Sequence, residues 1–110
     1  RALETDFAKL PQPEKEDITT EFKVRYDDID VNNHVNNAVY PLWASESVDP
    51  AFRLEHVPQE LEIAFKKEGH YGERVKIITE IQENVSLHDI TALSDGRELA
   101  KVRIKWQKRS

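Results

Sequence analysis

The amino-acid sequence predicts an α+β domain: one long amphipathic helix packed against a curved antiparallel β-sheet of about five strands. Three observations carry this expectation. Several stretches alternate apolar and polar residues with the period of a half-buried strand. One stretch, beginning near Asn37, instead places apolar residues at helical spacing. The order along the chain is a strand, the helix, and then consecutive strands separated by turn signals.

The elements follow in order. Residues 1–18, opening "RALETDFAKLPQPEKED", carry Pro11 and Pro13 and no sustained periodicity. Two prolines so close block both a helix and an inner strand. This segment is expected to be an interdomain linker or an N-terminal arm, and a chain that starts at Arg1 is expected to be a fragment of a longer protein. Residues 19–110 form the predicted domain. In "TEFKVRY", Phe22, Val24 and Tyr26 mark one face of the first strand. In "NNAVYPLWASESV", Ala38, Val39, Leu42 and Trp43 have helical spacing, with Asn36 or Asn37 as N-cap. Pro41 then falls in the first turn, where a missing N–H does no harm. Tyr40 and Trp43 are expected to pack this helix on the sheet, and Asp49-Pro50 marks a break.

Strands follow. "ELEIAFKK" presents Leu61, Ile63 and Phe65 on one face, and "RVKIITEIQE" presents Val75, Ile77 and Ile81. "VSLHDITAL" changes phase between Leu87 and Ile90, which predicts a bulge near His88 and Asp89. Asp95-Gly96 is a hairpin signal. "ELAKVRIKW" then alternates through Ala100, Val102, Ile104 and Trp106, leaving Lys101, Arg103 and Lys105 as the expected solvated side of an edge strand.

Composition bounds the function. A chain of 110 residues suits one domain with a modest core. It has no cysteine, which excludes disulfides, thiolate metal sites and a cysteine nucleophile within the chain. A formal net charge of −5, with 34% of residues charged, argues against nucleic-acid binding. No apolar run approaches the roughly 18 residues of a membrane span, and no signal-peptide pattern is present. A bacterial cytoplasmic location is expected. His56, His70 and His88 have no metal-ligand spacing, and neither a metal nor a cofactor is expected.

The chemistry concentrates in "DIDVNNHVNN", residues 28–37, with four asparagines, two aspartates and a histidine. This stretch joins the first strand to the helix N-terminus, where unpaired N–H groups can stabilise an oxyanion. Asp30, Asn32 and His34 occupy alternate positions, so an extended backbone would point all three to one side. A carboxylate, an amide and an imidazole are the parts of a general-base hydrolytic site. They are also the parts of an Asx-rich capping loop with a satisfied histidine. Spacing alone leaves both readings open.

"RYDDIDVNNHVNNAVY" resembles the signature of hotdog-fold thioesterases, in which an Asp precedes a His-Val-Asn-Asn run that opens the central helix. Within that superfamily, "DVNNHVNN" is similar to the Asp-x-Asn-x-His pattern of the acyl-ACP thioesterases, with Asn33 where acyl-CoA hydrolases of the hydroxybenzoyl-CoA type usually show glycine. "LEIAFKKEG" resembles that family's strand ending in a basic pair and Glu-Cys, and "DGRELAKVRIKWQKR" resembles its C-terminal strand. The resemblance implies a hotdog fold from about Thr19 onward, as the second and catalytic member of a tandem pair. It implies hydrolysis of fatty acyl-ACP to free fatty acid and carrier thiol, with acyl carrier protein as partner. It places the site on Asp30, Asn32, His34 and Glu68, with Asn36 and Asn37 at the helix N-terminus.

The family's plant members carry a cysteine after the glutamate, whereas this chain has Gly69. A water activated by Glu68 or His34 is therefore the expected nucleophile, with Asn32 positioning water or carbonyl and Asp30 orienting the base or replacing it. Two other readings are a single-hotdog acyl-CoA thioesterase and a non-catalytic acyl-binding or interaction module. Because acyl carrier protein is acidic, a local basic patch is expected at Lys101, Arg103 and Lys105 or at Lys66, Lys67 and Arg25. A lone hotdog leaves a sheet edge and a helix side uncovered, so either a homodimer or pairing with a preceding hotdog domain is expected.

Overall fold

The structure, a computed structural model, describes residues 2–4 and 6–109. Its strands are β1 (Ala2–Glu4), β2 (Ile18–Lys23), β3 (His56–Phe65), β4 (Arg74–Gln82), β5 (Val85–Ala92) and β6 (Glu98–Lys108), and its α-helices are α1 (Val39–Glu46) and α2 (Pro50–Glu55). They build one sheet in the order β1-β3-β6-β5-β4-β2. Every pairing is antiparallel except β1 with β3. The helix-on-sheet arrangement expected from the sequence is present, with α1 lying over β6.

Alternation decides which face is buried. Val75, Ile77 and Thr79 of β4, Ser86, His88 and Ile90 of β5, and Ala100, Val102, Ile104 and Trp106 of β6 all sit in the interior. Tyr40, Trp43 and Ala44 of α1 close that interior from the other side, with Trp43 stacked on Phe22 at 6.0 Å between ring centroids. The i, i+3, i+4 spacing of these three residues sets the buried stripe, so Leu42 points outward and is 63% exposed.

The expected long helix is divided. Ser47 bonds back to the Trp43 carbonyl at 2.8 Å, and Asp49 then caps α2 by accepting from the Ala51 N–H at 3.0 Å. Asp49-Pro50 is the break that the sequence marked, because proline suits N1 of a new helix and not the interior of an old one.

Three local expectations need correction. The first strand stops at Lys23, before Tyr26. The Asp28 carboxylate accepts the Arg25 N–H at 2.8 Å and turns the chain into a 3₁₀ turn, leaving Tyr26 exposed. No bulge occurs at His88 and Asp89: the pairing of β5 with β4 runs unbroken, and the irregularity against β6 lies between Ile90 and Thr91. The phase change arises because the inward positions Ser86 and His88 are polar, while Leu87 belongs to the opposite face. β6 is central rather than an edge, so its basic residues are engaged: Arg103 with Glu62 at 2.9 Å and Lys105 with Glu60 at 3.6 Å. Lys101 is buried, donating to the carbonyls of Phe7 and Leu10 at 3.2 Å each.

Those last bonds concern the segment expected to be a linker or arm. Residues 2–4 of it form β1 and Ile18 opens β2, while residues 6–17 cross the sheet face opposite α1. Leu10 is buried, the Glu14 N–H donates to Glu80 at 2.8 Å, and Asp17 accepts the Ile81 N–H at 2.9 Å. Prolines suit such a strap, which asks nothing of their missing N–H.

Candidate active site

The polar loop between β2 and α1 is a closed turn. Ile29 and Val35 form an antiparallel bridge at its base, and Val35 is buried. Within it, the Asp30 N–H donates to the His34 carbonyl at 2.8 Å and the Asn33 N–H to the Asp30 carbonyl at 3.1 Å. Asn33 adopts φ 64°, a left-handed conformation that asparagine tolerates better than most residues. The backbone is therefore not extended, and Asp30, Asn32 and His34 do not share one side.

Asp30 acts inside the loop. Its Oδ1 accepts from the N–H of Asn32 at 2.9 Å and of His34 at 3.1 Å. The His34 N–H, then the Asn32 N–H, hold its carboxyl below the usual carboxylate range. Val31 and Asn32 occupy the exposed tip.

A second segment, just after β3, meets the loop. The Val35 N–H donates to the Gly69 carbonyl at 2.8 Å, and His34 bridges His70. This pairing sets Nε2 of His34 3.1 Å from Oε2 of Glu68. Both flank a cleft of about 510 Å³ that Asp30, Asn36, Asn37 and Tyr40 also line. Asn32 is not among the described residues that line it. The structure thus brings together His34 and Glu68, with Asp30, Asn36 and Asn37 beside them, and leaves Asn32 at the loop tip.

The helix start is largely self-satisfied. Asn36 accepts the Ala38 N–H on its side chain at 3.0 Å and the Val39 N–H on its carbonyl at 2.9 Å. Asn36 therefore precedes the helix as an Asx turn, while Ala38 holds the cap position itself. The amide groups of Asn36 and Asn37 remain as polar lining of the cleft.

Four residues not expected at the site adjoin or brace the pair. Arg97 donates to the Glu68 carbonyl at 3.1 Å, to Glu73 at 2.6 Å and to Asp95 at 2.7 Å, bracing the Glu68 segment. The Tyr40 hydroxyl accepts the Gly69 N–H at 3.3 Å, and burial pushes its phenol up, so it stays neutral. Gly69 itself is crowded: a Cβ there would meet Val35 Cγ2 at 3.0 Å and Leu99 Cδ1 and the Tyr40 hydroxyl at 3.3 Å each. The fourth is His70, whose ring centroid lies 5.3 Å from that of His34. The lack of metal-ligand spacing among His56, His70 and His88 did not bear on this pair, which the fold forms between His70 and His34. A signal existed in the alternation Glu68-x-His70, which faces two side chains the same way in extended backbone.

An imidazole held by a carboxylate at the edge of an open cleft can take a proton from water. Among the described residues, no helix is long and apolar enough to cross a membrane.

Residues 11–108 match the family described as the acyl-ACP thioesterase C-terminal domain. The chain is 27% identical over 113 aligned residues to the chloroplastic acyl-[acyl-carrier-protein] hydrolase of Cuphea viscosissima, covering 96% of this chain and 27% of that protein. It therefore spans about a quarter of that relative's length. It superposes on the 12:0-ACP thioesterase from Umbellularia californica with a TM-score of 0.77, at 20% identity over 96% of this chain and 42% of that one. A crystal structure described as a putative oleoyl thioesterase from Lactobacillus plantarum superposes with a TM-score of 0.72, at 29% identity over 93% and 43%. Fold, matched residues and relatives agree: the chain is a hotdog domain that belongs to the acyl-ACP thioesterase C-terminal domain family.

Proposed function

We propose that the protein hydrolyses fatty acyl thioesters of acyl carrier protein, releasing free fatty acid and carrier thiol. Water attacks the thioester carbonyl, its proton passes to the His34–Glu68 pair, and the proton returns to the departing thiolate. The single observation that carries this reading is the 3.1 Å contact between His34 Nε2 and Glu68 Oε2 at the edge of the cleft. The names of the relatives support the substrate class.

The roles divide by position. Glu68 is the base that receives the water proton, and His34 orients it and relays the proton. Asp30 acts through the loop backbone, since its Oδ1 already accepts two N–H groups. The Asn36 and Asn37 amides stabilise the carbonyl oxygen as charge develops. Asn32, at the loop tip, positions substrate from above and matters less than the pair.

Lys66 and Lys67 line the same cleft and supply positive charge beside it, so they are the proposed contact for an acidic carrier. The alternatives are weaker, because Arg103 and Lys105 pair with glutamates and Arg25 with Asp28. Either a homodimer or pairing with a sister hotdog domain covers the outer edge strand β2 and the exposed Leu42, and the setting is the bacterial cytoplasm.

The test is a comparison of substrates by the full-length protein. Fatty acid release from acyl-ACP at a kcat/KM well above that for the matching acyl-CoA supports the reading. Equal or greater efficiency on acyl-CoA transfers the assignment to an acyl-CoA thioesterase, and no release from either leaves only an acyl-binding module.

A further inference from the structure

We propose that His34, Glu68 and His70 form a binding site for a divalent transition-metal ion of the zinc class, and that filling it stops hydrolysis. One ligand atom from each residue lies within 4.8 Å of the others. The edge from His34 Nε2 to Glu68 Oε2 is 3.1 Å. Tetrahedral zinc with bonds of about 2.0–2.2 Å requires ligand atoms roughly 3.3 Å apart. One edge is therefore already at metal-binding length, and no edge needs to shorten by more than about 1.5 Å.

The side chains that must move are free to do so, since that of Glu68 is 64% exposed and that of His70 45% exposed. The backbone beneath them is fixed. The bridge between His34 and His70 and the Val35–Gly69 hydrogen bond hold the two segments in register. His70 also has an outer carboxylate: Oε1 of Glu73 lies 3.4 Å from its Nδ1 and accepts its backbone N–H at 2.8 Å. A carboxylate behind a histidine is the usual support that orients an imidazole for a metal. Two imidazoles and one carboxylate, with no thiolate, select zinc and its neighbours over calcium or magnesium.

The consequence for activity rests on the function proposed above. A metal held by Nε2 of His34 and the Glu68 carboxylate occupies the two groups that would receive the water proton. His70 has no part in that reaction, so it distinguishes metal binding from catalysis.

The experiment is calorimetric titration of the full-length protein with zinc chloride, in wild type, His70→Ala and His70→Asn, with hydrolysis of acyl-ACP measured alongside. Each rate is normalised to that variant's own metal-free rate. Wild type should take up zinc and lose activity, and a chelator should restore it. Both variants should bind at least about tenfold more weakly, because even outer supports of metal ligands are worth roughly 10–100-fold. As a check independent of variants, zinc should shift the imidazole NMR signals of His34 and His70 and leave those of His56 and His88 unmoved. Equal zinc affinity in wild type and both variants, or unmoved His34 and His70 signals, overturns the proposal. Zinc bound through His70 without loss of hydrolysis leaves the metal site standing and counts against the proposed roles of His34 and Glu68.

Discussion

His88 should make the fold acid-sensitive well above the carboxylate range. Its ring is fully buried, with Nδ1 2.8 Å from Thr79 Oγ1 and Nε2 2.8 Å from Ser86 Oγ, and Ser86 also accepts the Trp106 indole N–H at 2.9 Å. Neutral imidazole suits that setting, and burial lowers its pKa from 6.5 to about 3. The folded value lies below the unfolded one, so the unfolded chain binds the extra proton between them. Stability is complete above about pH 6.5 and declines as pH falls toward 3. At 1.36 kcal/mol per unit the full window amounts to roughly 4–5 kcal/mol, of which about 2 kcal/mol falls between about pH 7 and 5. His88→Gln keeps a donor and an acceptor and removes the titration. Urea unfolding at the two pH values should show the variant less stable at neutrality by about 1–3 kcal/mol. The variant should also lose about 2 kcal/mol less than wild type on acidification. Hydrogen bonds from the His34 N–H, the Gln82 amide and the Arg97 N–H hold the carboxyls of Asp30, Glu80 and Asp95 low. Their acid sensitivity is common to both proteins and cancels in the difference. Equal pH slopes in wild type and variant would refute the assignment of that loss to His88.

Gly69→Ala places a Cβ against Val35, Leu99 and Tyr40, and should destabilise by about 1–3 kcal/mol in urea unfolding. Unchanged stability would mean that these side chains move aside freely. Arg97→Leu removes the brace on the Glu68 carbonyl and should lower kcat by about 10- to 100-fold with little change in KM. A pure rise in KM would contradict a positioning role. Light scattering of the chain without a sister domain should report self-association at roughly tens of micromolar, since β2 is an outer strand and Leu42 is exposed. A clean monomer there argues against an uncovered interface on this face.

Alternation and turn chemistry made the architecture legible. The inward faces of β3, β4 and β6, the start of α1 near Asn37 and the break at Asp49-Pro50 all follow from local periodicity and capping. Long-range competition decided the rest. β6 reads as an edge because its outer face is basic, yet the strap spanning Phe7 to Leu10 takes up Lys101 and the glutamates of β3 take up Arg103 and Lys105. His88 and Ser86 break the apolar pattern of β5 because they satisfy each other inside the core. At the site, the motif pointed to His34 and Glu68, and the fold brings them together. It could not reveal that Asp30 folds the loop back on itself, which removes the shared side assumed for Asp30, Asn32 and His34. His70 was signalled only by its alternation with Glu68, and its closeness to His34 depends on a bridge between residues far apart in sequence.

The most direct measurement is the single-turnover rate of Glu68→Gln on acyl-ACP, in the full-length protein with its fold verified by circular dichroism. Glutamine keeps the shape of the side chain and a hydrogen bond to His34, and it removes only the basic carboxylate. Loss of a general base costs about 10²–10⁴-fold, and the account predicts a fall in that range with acyl-ACP binding preserved. A wild-type rate would contradict it, removing Glu68 from the reaction and passing the role of base to Asp30.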